Sequence, residues 1–289
     1  MFSFLGELLY FYISIAFIYA CLHAGITHLV YWMETRLAYW QDPSQLRPSI
    51  LLIVRNALIE LGCHFARAFL LPFSSFRANV HPISAEAPVT PILLVHGYAQ
   101  NQSDWFWFQY QLKQAGIGPV YTINLWNTMG GIESHAEKLG KTLENIQAKH
   151  PNQAITLIGH SMGGLVSSYY TEYLNKGNVN IHKIITLGTP FYGTRLASLG
   201  IGLSVEQMAP NSAFLEALRA KIESASVPYY HLASQMDNMI VPWDSALMDP
   251  LKLESKNQHI IPDEGHVRLL ISPQVFEQVK IWLGTVQNN

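Results

Sequence analysis

The stretch that decides the fold is Ile155–Tyr170, which reads Ile-Thr-Leu-Ile-Gly-His-Ser-Met-Gly-Gly-Leu-Val-Ser-Ser-Tyr-Tyr. An apolar, β-prone run is followed by a G-x-S-x-G motif centred on Ser161, and an apolar helix-like segment follows at once. This strand–turn–helix setting is typical of a nucleophile elbow. Gly159 and Gly163 are required because strand and helix approach closely around a strained serine. The serine hydroxyl then lies at a helix N-terminus, where backbone N–H groups and the helix dipole favour a developing oxyanion.

A nucleophilic serine of this kind needs a histidine base and an acid, which follow it in the order acid, then histidine. His182 and His231 are excluded because they precede every aspartate after Ser161, namely Asp237, Asp244, Asp249 and Asp263. His259 lies within a predicted strand, Gln258 to Ile261. His266 follows in a polar turn, where catalytic groups are expected, and it is the predicted base.

The acid is chosen by the same reasoning. Val227 to Ala233 reads as a strand, and Asp237 lies in the turn that follows it. From there a carboxylate can reach a histidine on the loop of the next strand. Asp244 is the alternative, although its position after Val-Pro-Trp is also typical of a helix cap. We therefore predict the triad Ser161, Asp237 and His266.

The oxyanion hole is predicted from an earlier strand, Pro91 to Val95, which is followed by His-Gly-Tyr-Ala. In an elbow architecture one backbone donor follows the nucleophile, and the second comes from the loop after an early strand. These donors are predicted to be the N–H groups of Met162 and Tyr98. Gly97 would let the backbone approach the substrate.

From about Val89 to Leu283 the chain resembles α/β-hydrolases of the bacterial triacylglycerol lipase and esterase group. The resemblance is carried by Leu-Val-His-Gly-Tyr at 94–98, Gly-His-Ser-Met-Gly-Gly at 159–164, Leu-Gly-Thr-Pro-Phe-Tyr-Gly-Thr at 187–194, Ser-Gln-Met-Asp-Asn-Met-Ile-Val-Pro at 234–242 and Gly-His at 265–266. It departs at Phe191, where such lipases often have histidine. The same region also resembles eukaryotic GPI inositol-deacylases, which cleave lipid esters at membranes.

The resemblance implies an α/β-hydrolase fold, with a mainly parallel sheet, helices on both faces and a short cap. Alternating strand and helix patterns in the sequence agree with it. The alternation is interrupted at about residues 189–226, where such enzymes place a cap. Apolar residues there, including Phe191, Tyr192 and Leu196, are predicted to line an acyl pocket, and the alternative is that they form ordinary core. We expect a division into an N-terminal region (1–80) and a hydrolase domain (81–289).

The N-terminal region begins with a long apolar segment. Leu8 to Val30 contains no Asp, Glu, Lys or Arg, and as a helix it would span about 34 Å, enough for one crossing of a hydrocarbon core of about 30 Å. A cleaved signal peptide is the alternative, but it usually starts with basic residues. Arginines follow the segment at positions 36, 47, 55, 67 and 77, so the positive-inside bias favours a cytoplasmic hydrolase domain. Export of related lipases favours the other side.

A second N-terminal helix is predicted at Ile50–Leu71. Its apolar stripe contains Leu51, Val54, Leu58, Leu61, Phe65 and Phe69, and Asn56, Glu60, His64 and Arg67 lie opposite. This pattern suits a helix at the membrane surface or docked on the hydrolase domain. A second crossing is disfavoured because its charged residues would be costly in lipid. The Pro-rich stretch from Pro72 to Pro91 is the predicted linker.

Composition limits the functions that fit. Charged residues make up 13% of the 289 residues, the net charge is −2, and no basic stripe indicates nucleic-acid binding. No cofactor or metal motif is present in the sequence. The predicted function is hydrolysis of carboxylic esters of lipid-like substrates through an acyl-enzyme, at a membrane. Acyl transfer or amide hydrolysis by the same triad is the alternative, and a non-catalytic membrane-bound binding module is a third hypothesis.

Overall fold

The computed structural model describes residues 2–45, 47–70, 90–125, 127, 129–249 and 256–284. The predicted linker from Pro72 to Pro91 lies almost entirely outside these residues, and so does the boundary expected between residues 80 and 81. The division into an N-terminal region and a hydrolase domain therefore stays a prediction.

Six parallel strands form one sheet. The first three along the chain are buried over their whole length, as expected for a parallel sheet that is covered on both faces. The strands are β1 (Ile92–Val95), β2 (Val120–Ile123), β3 (Ile155–His160), β4 (Ile181–Leu187), β5 (Tyr229–Ser234) and β6 (Gln258–Ile261), and their spatial order is β2-β1-β3-β4-β5-β6.

Helices cover both faces of this sheet, which confirms the predicted α/β architecture. Alternate side chains of β1 point into two different cores: Leu93 and Val95 pack on one side, and Ile92 and Leu94 on the other. The helices that follow β1 are α3 (Phe106–Gln114), α4 (Ile132–Lys149), α5 (Met162–Tyr169), α6 (Leu203–Gln207), α7 (Ala213–Glu223) and α8 (Pro273–Leu283). The first core is completed by α4, α5 and α7, and the second by α3 and α8.

The strand order creates a crevice at one edge of the sheet. The chain runs outward from β1 to β2 and then returns to the other side of β1 as β3. Loops at the carboxyl ends of such neighbouring strands diverge, and ligands bind between them. Here those loops are His96–Ala99 after β1 and the turn at Ser161 after β3. The predicted cap segment lies between β4 and β5 and contains a 3-10 turn (Arg195–Leu199), α6 and α7.

The N-terminal residues form a helical hairpin of α1 (Phe2–Gln41) and α2 (Ile50–Leu70). The helices run antiparallel, since the Tyr12 hydroxyl near the start of α1 donates to the backbone of Ala68 near the end of α2. Three small side chains of α1, spaced four residues apart, are buried: Ala16, Ala20 and Ala24. Residues four apart share one helix face, so this seam gives a neighbouring helix close access to the α1 backbone.

The amphipathic helix α2 has its polar face turned inward. Asn56, Glu60 and His64 are buried, whereas Leu51 is 78% and Leu58 is 65% exposed. The sequence left open whether this helix lies on a membrane or docks on the hydrolase domain. The structure shows the docked arrangement, made through the polar stripe together with Ile53, which packs with Met236 and Val241.

The outer face of α1 is also apolar, with Phe11, Ile15, Ile18 and Leu22 among its exposed side chains. Within the described part of the chain, one helix, Phe4–Gln41, is long and apolar enough to cross a membrane by length and composition. A signal sequence near an N-terminus meets the same criterion.

Hydrogen bonds and ion pairs hold the hairpin on the α/β part of the chain. Arg67 Nε contacts Asp104 Oδ1 at 3.0 Å, and Arg195 Nε contacts Glu34 Oε2 at 2.9 Å. The Tyr31 hydroxyl donates to the Gln235 carbonyl at 2.7 Å. Both helices therefore contact the domain near the carboxyl edge of the sheet.

Candidate active site

Ser161 occupies the sharp turn between β3 and α5. Its φ is 56° and its ψ is −130°, a strained conformation for a residue with a side chain. Packing explains the two motif glycines: a Cβ on Gly159 would lie 2.5 Å from Gly164 Cα, and one on Gly163 would lie 2.2 Å from the Val95 oxygen. The turn is held from outside by Thr189, whose hydroxyl donates to the Ser161 carbonyl at 3.0 Å.

His266 and Asp237 are paired at the carboxyl edge of the sheet. His266 Nδ1 lies 2.8 Å from Asp237 Oδ2, and both side chains are buried. The other carboxylate oxygen of Asp237 accepts backbone N–H groups from Met239 at 2.9 Å and Ile240 at 2.8 Å. The carboxylate is thereby fixed in position, so it can hold one orientation of the imidazole.

The alternative triad candidates lie elsewhere. Asp244 belongs to a 3-10 turn, Trp243–Ala246, and burial raises the pKa of its carboxyl above the usual value. His259 is on β6, and His231 is buried on β5 beside Thr186. Burial lowers the pKa of His231 to about 3, which suits a neutral core side chain. Of the candidates that the sequence offers, the structure pairs Asp237 with His266.

The loop after β1 is organised by Gln100. Its side-chain oxygen accepts the Gly97 N–H at 2.6 Å and lies 3.0 Å from His160 Nδ1. His160 Nε2 lies 3.0 Å from the His266 carbonyl oxygen. Burial, followed by the nearby His266, lowers the pKa of His160 well below its ordinary value, and the contact with the His266 carbonyl acts in the opposite direction. Gln100 and His160 thus connect the β1 loop to the His266 loop.

Neither connecting residue was predicted from the sequence. His160 is a variable position of the G-x-S-x-G motif, and nothing in the pattern marks Gln100. The two predicted oxyanion donors lie on the elements that bound the crevice. Met162 is the first residue of α5, and Tyr98 follows β1, with its hydroxyl donating to the Ile201 carbonyl at 2.7 Å.

A cavity of about 420 Å³ opens at this edge, and both Ser161 and His266 line it. One wall comes from the cap and is mainly apolar: Leu196, Leu199, Ile201, Val205 and Met208. The N-terminal hairpin also lines the cavity, with Tyr19, His23, Ile26, Thr27 and Arg67. The hairpin wall was not foreseen, because contacts between residues so far apart leave no signal in one sequence.

The three residues predicted to bind the acyl chain occupy different environments. Leu196 lines the cavity. Phe191 is completely buried and meets the His231 ring edge-on at 5.0 Å between centroids. The Tyr192 hydroxyl donates to the Met248 carbonyl, and the Arg219 guanidinium stacks over its ring. Phe191 therefore has the core role that the sequence offered as the alternative.

Comparison with known proteins agrees with this geometry. Residues 87–221 match a family model described as "Putative serine esterase (DUF676)". A triacylglycerol lipase of Pseudarthrobacter phenanthrenivorans is 31% identical over 115 residues, which are 37% of this chain and 35% of the lipase. The chain spans about a third to a half of the length of the curated relatives it matches.

Solved lipase structures share the fold. The mature Bacillus licheniformis lipase BlEst2 superposes with a TM-score of 0.56 at 18% identity, over 70% of this chain and 95% of the lipase. Aspergillus fumigatus lipase B gives 0.54 at 21% identity, over 70% and 55%. The fold is therefore that of an α/β-hydrolase.

The elbow packing yields a stability prediction. Gly163→Ala should prevent accumulation of folded protein or lower its melting temperature strongly, because the new methyl group would overlap the Val95 carbonyl of β1. Gly62→Ala is the matched control, since an added Cβ on that α2 residue meets no atom within 4 Å; it should be neutral or slightly stabilising. Thermal unfolding of both variants measures the difference. Equal melting temperatures would contradict the close packing of α5 on β1.

Proposed function

We propose that this chain is a serine hydrolase that cleaves carboxylic ester bonds of lipid-like substrates. The observation that carries the proposal is that His266, paired with Asp237 at 2.8 Å, lines the same cavity as a strained serine at a helix N-terminus. The similarity to a triacylglycerol lipase supports an ester substrate.

The chemistry follows from the roles of the three groups. Ser161 Oγ attacks the ester carbonyl while its proton passes to His266 Nε2, and the imidazolium returns that proton to the leaving alcohol. Asp237 keeps the histidine in the productive tautomer through Nδ1. Backbone N–H groups of Met162 and Tyr98 stabilise the oxyanion, each by about 3 kcal/mol in comparable enzymes. In the second half of the reaction His266 takes a proton from water, which attacks the acyl carbonyl. The bond to Ser161 Oγ then breaks, and His266 returns the proton to that oxygen.

Two features support lipid-like substrates at a membrane. The cap side of the cavity is apolar, and the adjoining residues Leu199 and Ile201 are exposed. The outer face of the α1–α2 hairpin is also apolar and adjoins the cavity through Ile26, which lines the cavity and is itself exposed. Apolar patches of this extent mark membrane or partner contacts in proteins. We propose that lipid covers this face.

The triad proposal predicts a ranking of variants. Ser161→Ala and His266→Ala should each lower kcat by several orders of magnitude, because triad members act as one unit. Asp237→Asn should lower kcat by roughly three to four orders of magnitude, since the amide no longer fixes the tautomer. Asp244→Asn should stay within about threefold of wild type. Hydrolysis of a chromogenic ester and labelling by a fluorophosphonate measure these effects. A larger loss for Asp244→Asn would move the acid role to that residue.

The apolar cavity predicts an acyl-length preference. kcat/KM should rise from acetyl to octanoyl esters by up to about fourfold per methylene, the equivalent of about 0.8 kcal/mol for each buried CH₂. Leu196→Ala should weaken this dependence because Leu196 lines the cavity. Leu174→Ala, which removes a leucine packed against the core away from the cavity, should leave the dependence unchanged. A panel of nitrophenyl esters tests this. A higher value for acetyl than for octanoyl esters would indicate a small-ester hydrolase.

Membrane attachment predicts resistance to alkaline carbonate. The wild-type chain should remain with membranes after carbonate washing. The double variant Ile18→Lys and Leu22→Lys should be released more readily, because these side chains are 56% and 59% exposed on α1 and charged groups are costly in lipid. Asn145→Lys with Ala148→Lys, on the exposed face of α4, is the control of equal charge and should stay bound. Equal release of both double variants would argue against a lipid-facing α1.

A further inference from the structure

A fully buried carboxylate of the N-terminal hairpin contacts the loop that carries His266. Glu60 of α2 is 0% exposed. Its Oε1 accepts the Arg268 N–H at 2.8 Å, and its Oε2 accepts the Val267 N–H at 3.2 Å. On the other side of the histidine, an added Cβ on Gly265 would lie 2.5 Å from Glu60 Cγ. The carboxylate therefore contacts the loop on both sides of His266.

The first helix of the hairpin holds the neighbouring acid loop. Asn238 Nδ2 donates to Thr27 Oγ1 at 2.7 Å, and Asn238 Oδ1 accepts the His266 N–H at 3.1 Å. The Tyr31 hydroxyl bonds to the Gln235 carbonyl in the same loop. Both loops of the Asp237–His266 pair are thus fixed by helices far away in the sequence.

A buried carboxylate is costly unless it is paired or hydrogen-bonded. His64 Nε2 lies 3.6 Å from Glu60 Oε2, beyond hydrogen-bond distance, and Arg67 contacts the other nitrogen of that ring at 3.3 Å. Burial raises the pKa of Glu60 to about 7, while the Arg268 and Val267 N–H groups and the nearby His266 act to lower it. The other groups acting on this cluster are Asp237, Glu264, Arg268 and His23.

We propose that Glu60 is a positioning residue for His266, so that the N-terminal hairpin is a working part of the active site as well as a membrane-facing element. The proposal rests on the serine hydrolase function proposed above. Glu60 exchanges no proton with the substrate. Its carboxylate holds the backbone that aims the imidazole at Ser161, and its negative charge favours the imidazolium that forms when His266 takes the serine proton.

The test is Glu60→Gln in the full-length, membrane-bound or detergent-solubilised chain. Glutamine keeps the size and one acceptor but directs an NH₂ group at the second N–H. We expect kcat to fall about ten- to hundredfold, because small displacements of catalytic groups have effects of that size. KM should stay within about twofold of the wild-type value. Arg55→Gln is the matched control, because it removes an exposed ion pair between α2 and Asp263 in the same loop and should leave both constants unchanged.

The pH dependence separates positioning from a merely structural role. Ionised Glu60 is present above about pH 7 and is lost as the pH falls through that value, so the acid limb of the wild-type profile contains this ionisation. In Glu60→Gln the limb should become shallower. Stability changes with pH in the opposite direction. Between about pH 4.5 and 7 the folded state keeps a proton on Glu60 that the unfolded state has lost, so the free energy of unfolding falls as the pH rises. The stability of the Gln variant relative to wild type should therefore be greater at pH 8 than at pH 5, although its kcat is lower.

Each outcome has a definite meaning. Wild-type kcat with an unchanged acid limb in Glu60→Gln overturns the proposal, and so does a loss of activity that matches the fraction of unfolded protein. Fluorophosphonate titration counts functional sites and distinguishes these cases. If Glu60→Gln does not fold, Glu60→Asp decides, because its shorter carboxylate should retain the ionisation with an intermediate kcat. A folded wild-type chain that fails to label at Ser161 removes the hydrolase function, and this proposal with it.

Discussion

The close approach of three backbone segments at the elbow is the constraint on which the site depends. Strand β3 must turn into α5 while α5 packs against the end of β1, and this leaves no room for side chains at Gly159 and Gly163. The geometry places Ser161 at the start of α5 and brings the β1 loop beside it. Since the parallel strands all end at the same edge, the loops after β5 and β6 bring Asp237 and His266 to that edge.

The N-terminal hairpin reverses the usual relation between a surface helix and its domain. Amphipathic helices on soluble proteins bury the apolar stripe, whereas α2 buries Asn56, Glu60 and His64 and exposes Leu51 and Leu58. The buried polar groups are matched to polar loops at the catalytic edge, which have backbone N–H groups to satisfy. The exposed stripe of α2 is apolar surface of the kind that marks contacts with a membrane or another protein.

The sequence predicted the features that local rules control. The strand–turn–helix at Ser161, the parallel sheet and both N-terminal helices follow from glycine spacing and hydrophobic periodicity, and the helix predicted at Ile50–Leu71 is observed at Ile50–Leu70. The roles predicted for Asp237 and His266 stay predictions, although the structure pairs the two side chains. Local rules could not place Phe191 in the core, because apolar residues of a pocket and of a core have the same composition. Nor could they assign Glu60, whose partners Val267 and Arg268 are about 200 residues away and contribute backbone groups, which any residue type offers.

The two faces of the hairpin link location to catalysis. On the proposal that lipid covers the apolar face, the membrane and the domain contact opposite faces of the same two helices. The buried carboxylate of Glu60 needs partners, because an unpaired buried charge is costly, and the backbone N–H groups of Val267 and Arg268 supply them. The helices that attach the chain to lipid would therefore also be the helices that position the His266 loop.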